Sequence, residues 1–494
     1  MTLKNPPRLT VSAWADTFRQ LPRTSAEPGR WRTERVPYMR DVMDAFTQND
    51  VERIVVKSAA QVGKALDCKT PIATPDGFKR MGELAVGDKV FDERGEICNV
   101  IGVSPIMENR PCYEVTFSDG AKIVADACHK WRVQEDKRHG LKEEILTTEE
   151  MSGNFKHGKR NRYAIEVTKP LNLPEKDLPI DSYTLGAWLG DGNAYSGQLT
   201  LHEDDLEIAR RIEAAGYTVV IRQKDLRHPH IKNIQIEPFK RDENICIRGH
   251  DMRVVGKTKK GYCAECARQY AMAHKWRGVR DIKVDPVVVE RLTFTGRLSS
   301  LGVLKNKHIP AEYLRGSYEQ RLELLRGLMD TDGTCDKRGR CAITQKNARL
   351  AQDICELLRT LGFKPTIKER TVTFTYRGEK KTSRAYQITF LAYDDEKIFY
   401  LERKYSRQRS RADSRISETE RRRIVSIKPA TSRPVKCIAV DSPSHLYLAG
   451  RELIPTHNSE ILLNIIGRTA HLNPANIMVI QPTLELARDF PKAA

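Results

Sequence analysis

Hydrophobic and polar positions change their period several times along this chain. Between 65 and about 170, short alternating stretches are separated by turn residues, which is typical of β-strands. Helical periodicity follows at 205–216 and at 348–362, and each of these stretches ends at a glycine. The pattern predicts a multidomain protein that contains separate strand-rich and helix-containing segments.

Composition narrows the choice of function. The 494 residues include 84 Lys and Arg against 65 Asp and Glu, and the formal charge of +19 favours double-stranded DNA as a partner. A mean hydropathy of −0.54 without a long apolar run argues against a membrane-spanning helix and against a membrane partner. We therefore expect a cytoplasmic protein of about three domains. Its 11 cysteines should remain reduced in that compartment.

A phosphate-binding loop begins early in the chain and breaks off. The β-branched run and small-residue loop VERIVVKSAAQVGK at 51–64 call for Ser or Thr and then a helix, but turn-rich sequence follows. The missing pieces stand at 459–467, SEILLNIIG, ahead of a strand-like IMVI. Joining Lys64 to Ser459 restores strand, loop, helix and strand in order. The sequence therefore predicts that 65–458 is an insertion.

The flanks of this insertion, 1–64 and 459–494, resemble the ATPase part of a phage terminase large subunit. The resemblance is carried by WRTERVPYMRDVMDAF upstream of a loop of the AQVGKS kind. It implies an α/β P-loop fold, with ATP and Mg²⁺ held by Gly63, Lys64 and Ser459 once the flanks are joined. The joined protein would enter a phage packaging complex in a bacterial or phage-infected cell. The precursor is expected to be inactive as an ATPase.

The two ends of the insertion resemble an intein, a self-excising element with the all-β Hint fold. The matching segments are TPIATPDGFKRMGELAVGDKVF, ADACHKW, VKCIAVDSPSHLYLAG and a terminal IPTHN followed by Ser459. This resemblance implies splicing halves at 65–170 and 421–458. Together they would excise 65–458 as a monomer and join Lys64 to Ser459.

The first residue of the insertion, Ala65, has no nucleophilic atom. Class 3 inteins combine such a residue with a dispersed Trp, Cys and Thr, and Trp131, Cys437 and Thr456 match that triplet. By this similarity, the Cys437 thiolate attacks the Lys64 carbonyl and forms a thioester-linked branch.

The match also assigns a proton donor for this step. His129 would protonate the Ala65 nitrogen as it leaves. Inteins usually place Thr three residues before this histidine, whereas here Asp126 stands. The cysteines of this half without a matching motif are interpreted as packing residues: Cys68, Cys98, Cys112 and Cys128.

The last steps follow from the same resemblance. The Ser459 hydroxyl would take over the acyl group from the thioester. Asn458 would then cyclise to a succinimide with help from His457 and His445, after which the ester rearranges to an amide.

A repeated pattern lies between the two splicing halves. LGAWLGDGNAY at 185–195 and LLRGLMDTDGT at 324–334 each run from a helix into an acidic glycine corner, a strand and a second helix. The repeat resembles the two-motif LAGLIDADG homing endonucleases, which implies an α+β nuclease at 171–402 that makes double-strand breaks. Asp191 and Asp332 would meet where two glycine-containing helices end and would hold Mg²⁺ between them.

Three further features lie in or beside this nuclease segment. Three cysteines and a histidine stand at a spacing that suits a closed, structural Zn²⁺ site, a zinc knuckle with basic surroundings that could contact DNA: Cys246, His250, Cys263 and Cys266 at 246–266. Asp330 is interpreted as structural. The mixed-charge run 403–420 is interpreted as a solvated helix or linker.

Two alternatives remain open from the sequence. The chain could be a class 1 intein whose first Cys has been replaced by Ala65, so that the precursor is trapped and nothing is spliced. It could also be a DNA-packaging terminase ATPase that carries a degenerate passenger insertion. Intact precursor from the unmodified chain would favour the first alternative, and ATPase activity without excision would favour the second.

Overall fold

The chain forms two compact units in the computed structural model. The split unit consists of Met1–Thr168 and Arg421–Ala494, and the inserted unit consists of Lys169–Glu420. The residues that the structure describes are 9–21, 29–35, 40–48, 65–137, 140–158, 160–223, 229–237, 250–258, 263–275, 293–376, 379–411 and 420–457. Five sequence-predicted site residues lie outside these ranges: Gly63, Lys64, Cys246, Asn458 and Ser459.

The described residues of the N-terminal part of the split unit include two short helices. Thr10 begins the first helix, because its side chain accepts a hydrogen bond from the Ala13 N–H. Trp14 and Met43 pack together in a small apolar core between the helices. The elements are α1 Val11–Phe18, β1 Gln20–Leu21, β2 Gly29–Arg30 and α2 Arg40–Ala45.

From Leu66 onward the split unit is almost entirely antiparallel β-structure, as the alternating pattern predicts. The elements are β3 Leu66–Asp67, β4 Pro71–Thr74, β5 Gly77–Arg80, β6 Lys89–Phe91, β7 Ile97–Val103, β8 Cys112–Phe117, β9 Lys122–Asp126, β10 Lys130–Lys137, β11 Gly140–Thr147, α3 Thr148–Ser152, β12 Lys156–His157, β13 Arg160–Asn161 and β14 Tyr163–Glu166. Gly77 closes the β4–β5 hairpin at φ 140°, a conformation that favours glycine.

The described residues of the inserted unit form two antiparallel sheets and several helices, of which two contain glycines where they meet. The elements are α4 Ser182–Asp191, β15 Gln198–His202, α5 Glu207–Ala214, β16 Thr218–Gln223, β17 Ile231–Glu237, α6 Met252–Val255, α7 Ala264–Lys275, α8 Phe294–Ser300, α9 Ala311–Leu314, α10 Tyr318–Thr331, β18 Gly333–Cys335, β19 Arg340–Gln345, α11 Ala348–Thr360, β20 Thr366–Tyr376, β21 Glu379–Leu391 and α12 Glu402–Tyr405. The sheets have strand orders β15-β17-β16 and β18-β19-β21-β20. Each repeat therefore contributes one helix of the central pair and one sheet.

Glycines allow α4 and α10 to approach until their backbones touch. A Cβ atom at Gly327 would overlap the Tyr183 carbonyl oxygen and would lie 2.6 Å from the Ala187 nitrogen. On the other helix, a Cβ atom at Gly186 would overlap the Leu324 carbonyl oxygen. Near the C-terminal ends, a Cβ at Gly190 would lie 3.6 Å from the Asp332 nitrogen. The sequence-predicted close contact is present, and it places the two helix ends side by side.

Substitution of Gly327 by alanine should destabilise the inserted unit. No side chain can move aside, because the added methyl group meets backbone atoms of α4. We expect the free energy of unfolding to fall by about 3 kcal/mol in denaturant titrations. Gly153→Ala is the control, since a Cβ there has nothing within 4 Å. Equal stability of the two variants would contradict the tight packing.

The interpretation of 403–420 as a linker needs a correction. Residues 402–405 form α12 within the inserted unit, and Lys404 on this helix is buried. Its ammonium group donates to the carbonyl oxygens of Met329, Asp330 and Thr331. A run of mixed charge is normally solvated, but here one of its lysines caps a helix end.

The chain returns to the split unit at Arg421. The elements are β22 Arg421–Ala430, β23 Val435–Lys436, β24 Ile438–Val440, β25 Leu446–Ala449 and β26 Ile454–His457. The largest sheet has the order β11-β10-β14-β22-β8-β9-β3-β23, and the smaller sheets are β24-β7-β6 and β26-β25-β4-β5. Each of these sheets thus contains strands from both ends of the insertion, so both ends fold as one domain. None of the helices in the described part of the chain has the length and apolar character needed to cross a membrane.

Candidate functional site

The β-register of the split unit brings Cys437 beside Ala65. β23 pairs with β3 so that Lys436 lies opposite Leu66. One further step along these antiparallel strands places Cys437 opposite Ala65. Both residues belong to a small buried group, the junction cluster, which consists of Ala65, Cys112, Val435 and Cys437. A thiol from the C-terminal end of the insertion thus lies next to the insertion's first residue.

Ser104, which sequence reasoning did not single out, holds the backbone of Cys437 on both sides. The Ser104 N–H donates to the Cys437 carbonyl oxygen at 2.9 Å, and the Cys437 N–H donates to the Ser104 Oγ at 3.0 Å. The hydroxyl donates in turn to the Pro105 carbonyl at 2.8 Å. Ser104 is buried, so these bonds fix the position of the thiol-bearing residue.

His129, Trp131 and Thr456 form a second connected group. The His129 Nε2 hydrogen-bonds the Thr456 hydroxyl, and the His129 ring meets the Trp131 ring edge-on with centroids 4.9 Å apart. Thr148 links the two aromatic residues, because its hydroxyl accepts from the Trp131 Nε1 at 2.9 Å and donates to the His129 carbonyl at 3.2 Å. All four side chains are buried. Thr148 carries no sequence signal that would have identified it.

Asp126 connects this group to the junction cluster. Its N–H donates to the Ala65 carbonyl and its carbonyl accepts from the His129 N–H, at 2.9 and 3.0 Å. The buried carboxylate pairs with Arg110 at 2.7 Å and accepts from the Cys128 N–H at 2.7 Å. Asp126 therefore secures the turn that carries His129 through an ion pair and a backbone hydrogen bond.

The remaining histidines of the predicted splicing site lie on the β25–β26 hairpin. The rings of His445 and His457 have centroids 6.5 Å apart. The hairpin register pairs Leu446 with His457 and Tyr447 with Thr456. Lys64, Asn458 and Ser459 flank the two peptide bonds that splicing would break. All three lie outside the described residues.

In the inserted unit, Asp191 and Asp332 end the two helices of the central pair. Partial desolvation, and then the neighbouring Asp332 carboxylate, raise the pKa of Asp191 to about 6. Burial also raises the pKa of Asp332, against the effect of a 2.6 Å hydrogen bond from the Gln345 side chain. Two neighbouring carboxylates that are costly to ionise without a cation are typical of a site that binds a divalent cation.

Two lysines flank this acidic pair, and the sequence analysis assigned neither to the site. The Lys307 ammonium group donates to the Leu189 and Gly190 carbonyl oxygens at the end of α4, at 2.9 and 3.0 Å. Lys404 donates in the same way to carbonyl oxygens at the end of α10. Burial lowers the pKa of Lys307 to about 8, against the opposing effect of the two aspartates. Burial likewise lowers the pKa of Lys404 to about 8. Each helix end thus carries one carboxylate and one partly desolvated ammonium group.

Asp330 has surroundings that differ from those of Asp332. It is buried, and it accepts hydrogen bonds from the Tyr183 hydroxyl at 2.8 Å and from the backbone N–H groups of Tyr400 and Leu401. These bonds tie α10 to α4 and to the segment ahead of α12. They agree with the structural role interpreted from the sequence.

A third group gathers three potential metal ligands. The ligand atoms of His250, Cys263 and Cys266 all lie within 4.8 Å of one another. The Nδ1 of His250 lies 3.7 Å from the Cys263 Sγ and 3.4 Å from the Cys266 Sγ. One imidazole and two thiols at this separation suit zinc. The fourth predicted ligand, Cys246, lies outside the described residues.

Two protein-family models match separate parts of the chain. Residues 25–73 match the ATPase domain of the phage terminase large subunit gpA, and residues 319–423 match the LAGLIDADG-like domain. The second match includes α10 and Asp332. The recognition of a terminase ATPase segment and of a LAGLIDADG segment is therefore confirmed.

Relatives and solved structures add further likenesses. A replicative DNA helicase DnaB from Mycobacterium intracellulare is 33% identical over 433 residues, which cover 84% of this chain and 62% of the relative. The chain thus spans less than two thirds of that protein. A crystal structure of the MchDnaB-1 intein is 39% identical over 19% of this chain and 63% of its own, with a TM-score of 0.16. Variants of the homing endonuclease I-DmoI are 13% identical over 46% of this chain and 95% of theirs, with a TM-score of 0.21.

Proposed function

We propose that this chain, which carries a LAGLIDADG-like segment and part of a phage terminase ATPase domain, is a self-splicing intein precursor with an embedded DNA endonuclease. The observation that carries the proposal is the register of β3 and β23, which brings Cys437 opposite Ala65. A nucleophile is thereby supplied at a junction whose own first residue has none. Excision of 65–458 joins Lys64 to Ser459 and restores the phosphate-binding loop.

The pattern of matches supports an element that has moved between genes. The flanks 1–64 and 459–494 make up about a fifth of the chain, whereas the likeness to the DnaB helicase covers 84% of it. Most of that likeness must therefore lie in the insertion. The N-terminal flank instead matches the ATPase domain of a phage terminase. An insertion that resembles part of a helicase, next to a flank that resembles a terminase, is what an element that moves between genes would produce.

The splicing reaction begins at the junction cluster. The Cys437 Sγ bonds to the Lys64 carbonyl carbon, the bond from that carbon to the Ala65 nitrogen breaks, and His129 protonates the nitrogen. Thr456 and Thr148 orient His129, and Trp131 packs against its ring. Ser104 holds Cys437 through its backbone.

The later steps take place beside the β25–β26 hairpin, which carries His445 and His457. The Ser459 hydroxyl takes the acyl group from Cys437, and the thiol is released. The Asn458 side-chain amide nitrogen then attacks its own backbone carbonyl, which frees Ser459, and the ester rearranges to an amide. His445 and His457 assist the proton transfers of this cleavage.

The inserted unit cuts double-stranded DNA in this proposal. Asp191 and Asp332 would hold Mg²⁺, which supplies an activated water and stabilises the leaving oxygen of a phosphodiester. Lys307 and Lys404 place positive charge beside the acidic pair, where it would attract a phosphate group. A break at an uninterrupted host gene would allow the element to be copied into it.

Intact-mass analysis of the purified protein tests the splicing proposal. Splicing predicts two products, the excised 65–458 and the ligated flanks, which accumulate with time. An unmodified precursor that remains at full mass would overturn the proposal in favour of a trapped class 1 intein. The spliced flanks alone should then bind ATP, because Lys64 and Ser459 share one loop only after ligation.

The Cys and His cluster of the inserted unit is proposed to hold a structural zinc ion. We expect about one zinc per chain by atomic emission, and a lower melting temperature of the inserted unit after chelation. Cys263→Ser should lose the metal and most of this difference. Cys128→Ser is the control, because Cys128 is an exposed cysteine of the split unit. Zinc retained by Cys263→Ser would remove Cys263 from the ligand set.

A further inference from the structure

His445, one of the two histidines proposed to assist the cleavage after Asn458, stands in a strained turn. Its φ of 54° lies in the left-handed region, which a residue with a side chain rarely adopts. The His445 N–H closes the turn by donating to the Ser442 carbonyl oxygen at 2.9 Å. A backbone conformation of this kind persists only where the surrounding structure holds it. The contacts around this turn therefore decide where His445 lies.

Ser444, directly before His445, connects the turn to the neighbouring β6–β7 hairpin. Its hydroxyl donates to the Glu93 Oε2 at 2.6 Å. The Ser444 Oγ also lies 2.9 Å from the Ser442 Oγ and accepts from the Leu446 N–H at 3.4 Å. The Glu93 carboxylate thus holds a hydroxyl that is itself hydrogen-bonded to residues on both sides of His445.

Glu93 makes this contact from a closely hydrogen-bonded turn between β6 and β7. The Asp92 N–H donates to the Glu96 carbonyl oxygen at 2.9 Å, and the Gly95 N–H donates to the Asp92 carbonyl oxygen at 3.0 Å. The buried Asp92 carboxylate accepts from the Arg94 and Glu96 N–H groups, each at 2.9 Å. Because these bonds fix the backbone on both sides of Glu93, its carboxylate is offered to Ser444 from a defined position.

A second contact from the same hairpin holds the start of the segment that leads to His445. The N–H and the side-chain amide of Asn99, on β7, donate to the two carboxylate oxygens of Asp441, each at 2.7 Å. The Asp441 N–H donates back to the Asn99 carbonyl oxygen at 3.1 Å. The β6–β7 hairpin therefore fixes the segment 441–444 at both of its ends, through Asn99 and through Glu93.

We propose that Glu93 is a positioning residue for the cleavage after Asn458: its carboxylate fixes Ser444, and thereby the left-handed turn from which His445 assists that cleavage. This assignment rests on the splicing function proposed above. Glu93 forms no covalent bond and transfers no proton in this role. It acts through the hydroxyl that it accepts from, so the oxygen of Glu93 matters to the reaction and its negative charge does not.

The step that His445 assists depends on accurate placement. As the Asn458 side-chain nitrogen bonds to its own backbone carbonyl carbon, that nitrogen loses a proton and the departing Ser459 nitrogen gains one. The rings of His445 and His457 have centroids 6.5 Å apart, and Asn458 follows His457 directly in the chain. Misplacing a group in such a transfer by about 1 Å can slow a reaction by about 100-fold. A loosened turn should therefore slow this step and leave the thioester step at Cys437 unchanged.

The test is Glu93→Ala in the full chain, with the two cleavages measured separately. A small thiol that intercepts the thioester reports cleavage after Lys64, and intact mass in parallel samples without thiol reports the release of 65–458, which requires cleavage after Asn458. We expect cleavage after Lys64 to change less than about twofold and the release of 65–458 to slow on the order of tenfold. A branched ester that hydroxylamine splits should accumulate, because its formation is normal and its resolution is slow.

Further variants separate positioning from charge and packing. Glu93→Gln keeps an oxygen that can accept from the Ser444 hydroxyl, and it should recover most of the lost rate. Ser444→Ala removes the donor and should match Glu93→Ala. The double variant should be no slower than either single variant, because the same contact is lost in all three. Glu96→Ala is the control, since Glu96 is an exposed glutamate of the same turn, and it should leave both cleavages unchanged.

The possible outcomes distinguish this assignment from the function on which it rests. Release of 65–458 by Glu93→Ala at the wild-type rate, while the wild-type chain splices, overturns the positioning role alone. Equal slowing of both cleavages with a lower melting temperature also overturns it, because that is the result of a purely structural role. Additive losses in the double variant overturn it as well, since Glu93 would then act independently of Ser444. A wild-type chain that cleaves at neither junction overturns the proposed splicing function, and the assignment with it.

Discussion

Cys437→Ala should leave the precursor at full mass under conditions in which the wild-type chain splices. Alanine keeps the apolar volume of the junction cluster but removes the atom that attacks the Lys64 carbonyl. Because Ala65 supplies no alternative nucleophile, we expect the rate of ligated product to fall by on the order of 1000-fold or more. The measurement is a time course of intact mass after purification.

Cys112→Ala provides a matched control for this variant. Cys112 is a buried thiol of the same junction cluster, and its Sγ donates to the Arg110 carbonyl at 3.4 Å. It should splice at close to the wild-type rate. Equal splicing by Cys437→Ala and wild type would remove Cys437 from the reaction. Loss of splicing in both variants would mean that the cluster depends on its packing rather than on one sulfur.

Asp191→Asn and Asp332→Asn should each abolish Mg²⁺-dependent cleavage of DNA that spans the uninterrupted insertion site. Each variant keeps the shape of the helix end but removes one of the two charges proposed to bind the cation. We expect cleavage to fall by on the order of 1000-fold, while the melting temperature is unchanged or higher, since each ionised carboxylate is desolvated. The measurement is the rate of linearisation of a plasmid that carries the joined flanking sequence.

Asp204→Asn is the control for these two variants. Asp204 lies on the surface of the inserted unit, where its carboxylate contacts the exposed His202. Its replacement should leave both DNA cleavage and splicing unaltered. Normal cleavage by Asp332→Asn would contradict the assignment of the acidic pair. Splicing of all three variants at the wild-type rate would show that the two activities are independent.

The residues proposed for splicing could be named from the sequence where they fall in recognisable segments. Trp131 stands 306 positions before Cys437, yet the broken phosphate-binding loop marks both ends of the element that contains Trp131, Cys437 and Thr456. Ser104 and Thr148 could not be predicted in the same way. Ser104 acts through backbone hydrogen bonds that depend on the pairing of β7 with β24, and Thr148 acts through the position of α3. Neither contact is encoded by a local motif.

The acidic pair was predictable because glycine spacing on two helices implies that their backbones meet. The lysines were not predictable, for a physical reason. Lys404 stands in a run of mixed charge, which normally indicates solvent exposure, and Lys307 stands in the polar segment between α8 and α9. Only the folded chain shows that both ammonium groups cap helix ends beside the aspartates. Charge patterns along a sequence do not reveal which charges become buried.

The pairing of β14 with β22 would allow the inserted unit to be lost without disturbing the split unit. Glu166 and Arg421 are cross-strand partners. The chain therefore leaves the large sheet of the split unit and re-enters it at neighbouring positions of two adjacent antiparallel strands. A deletion that replaces everything between these strands with a tight hairpin would preserve every hydrogen bond of the sheet. Under the proposed splicing function, a descendant that has lost the inserted unit would therefore still excise itself from the host protein. Selection for an intact host protein would then preserve excision long after selection for DNA cutting has lapsed.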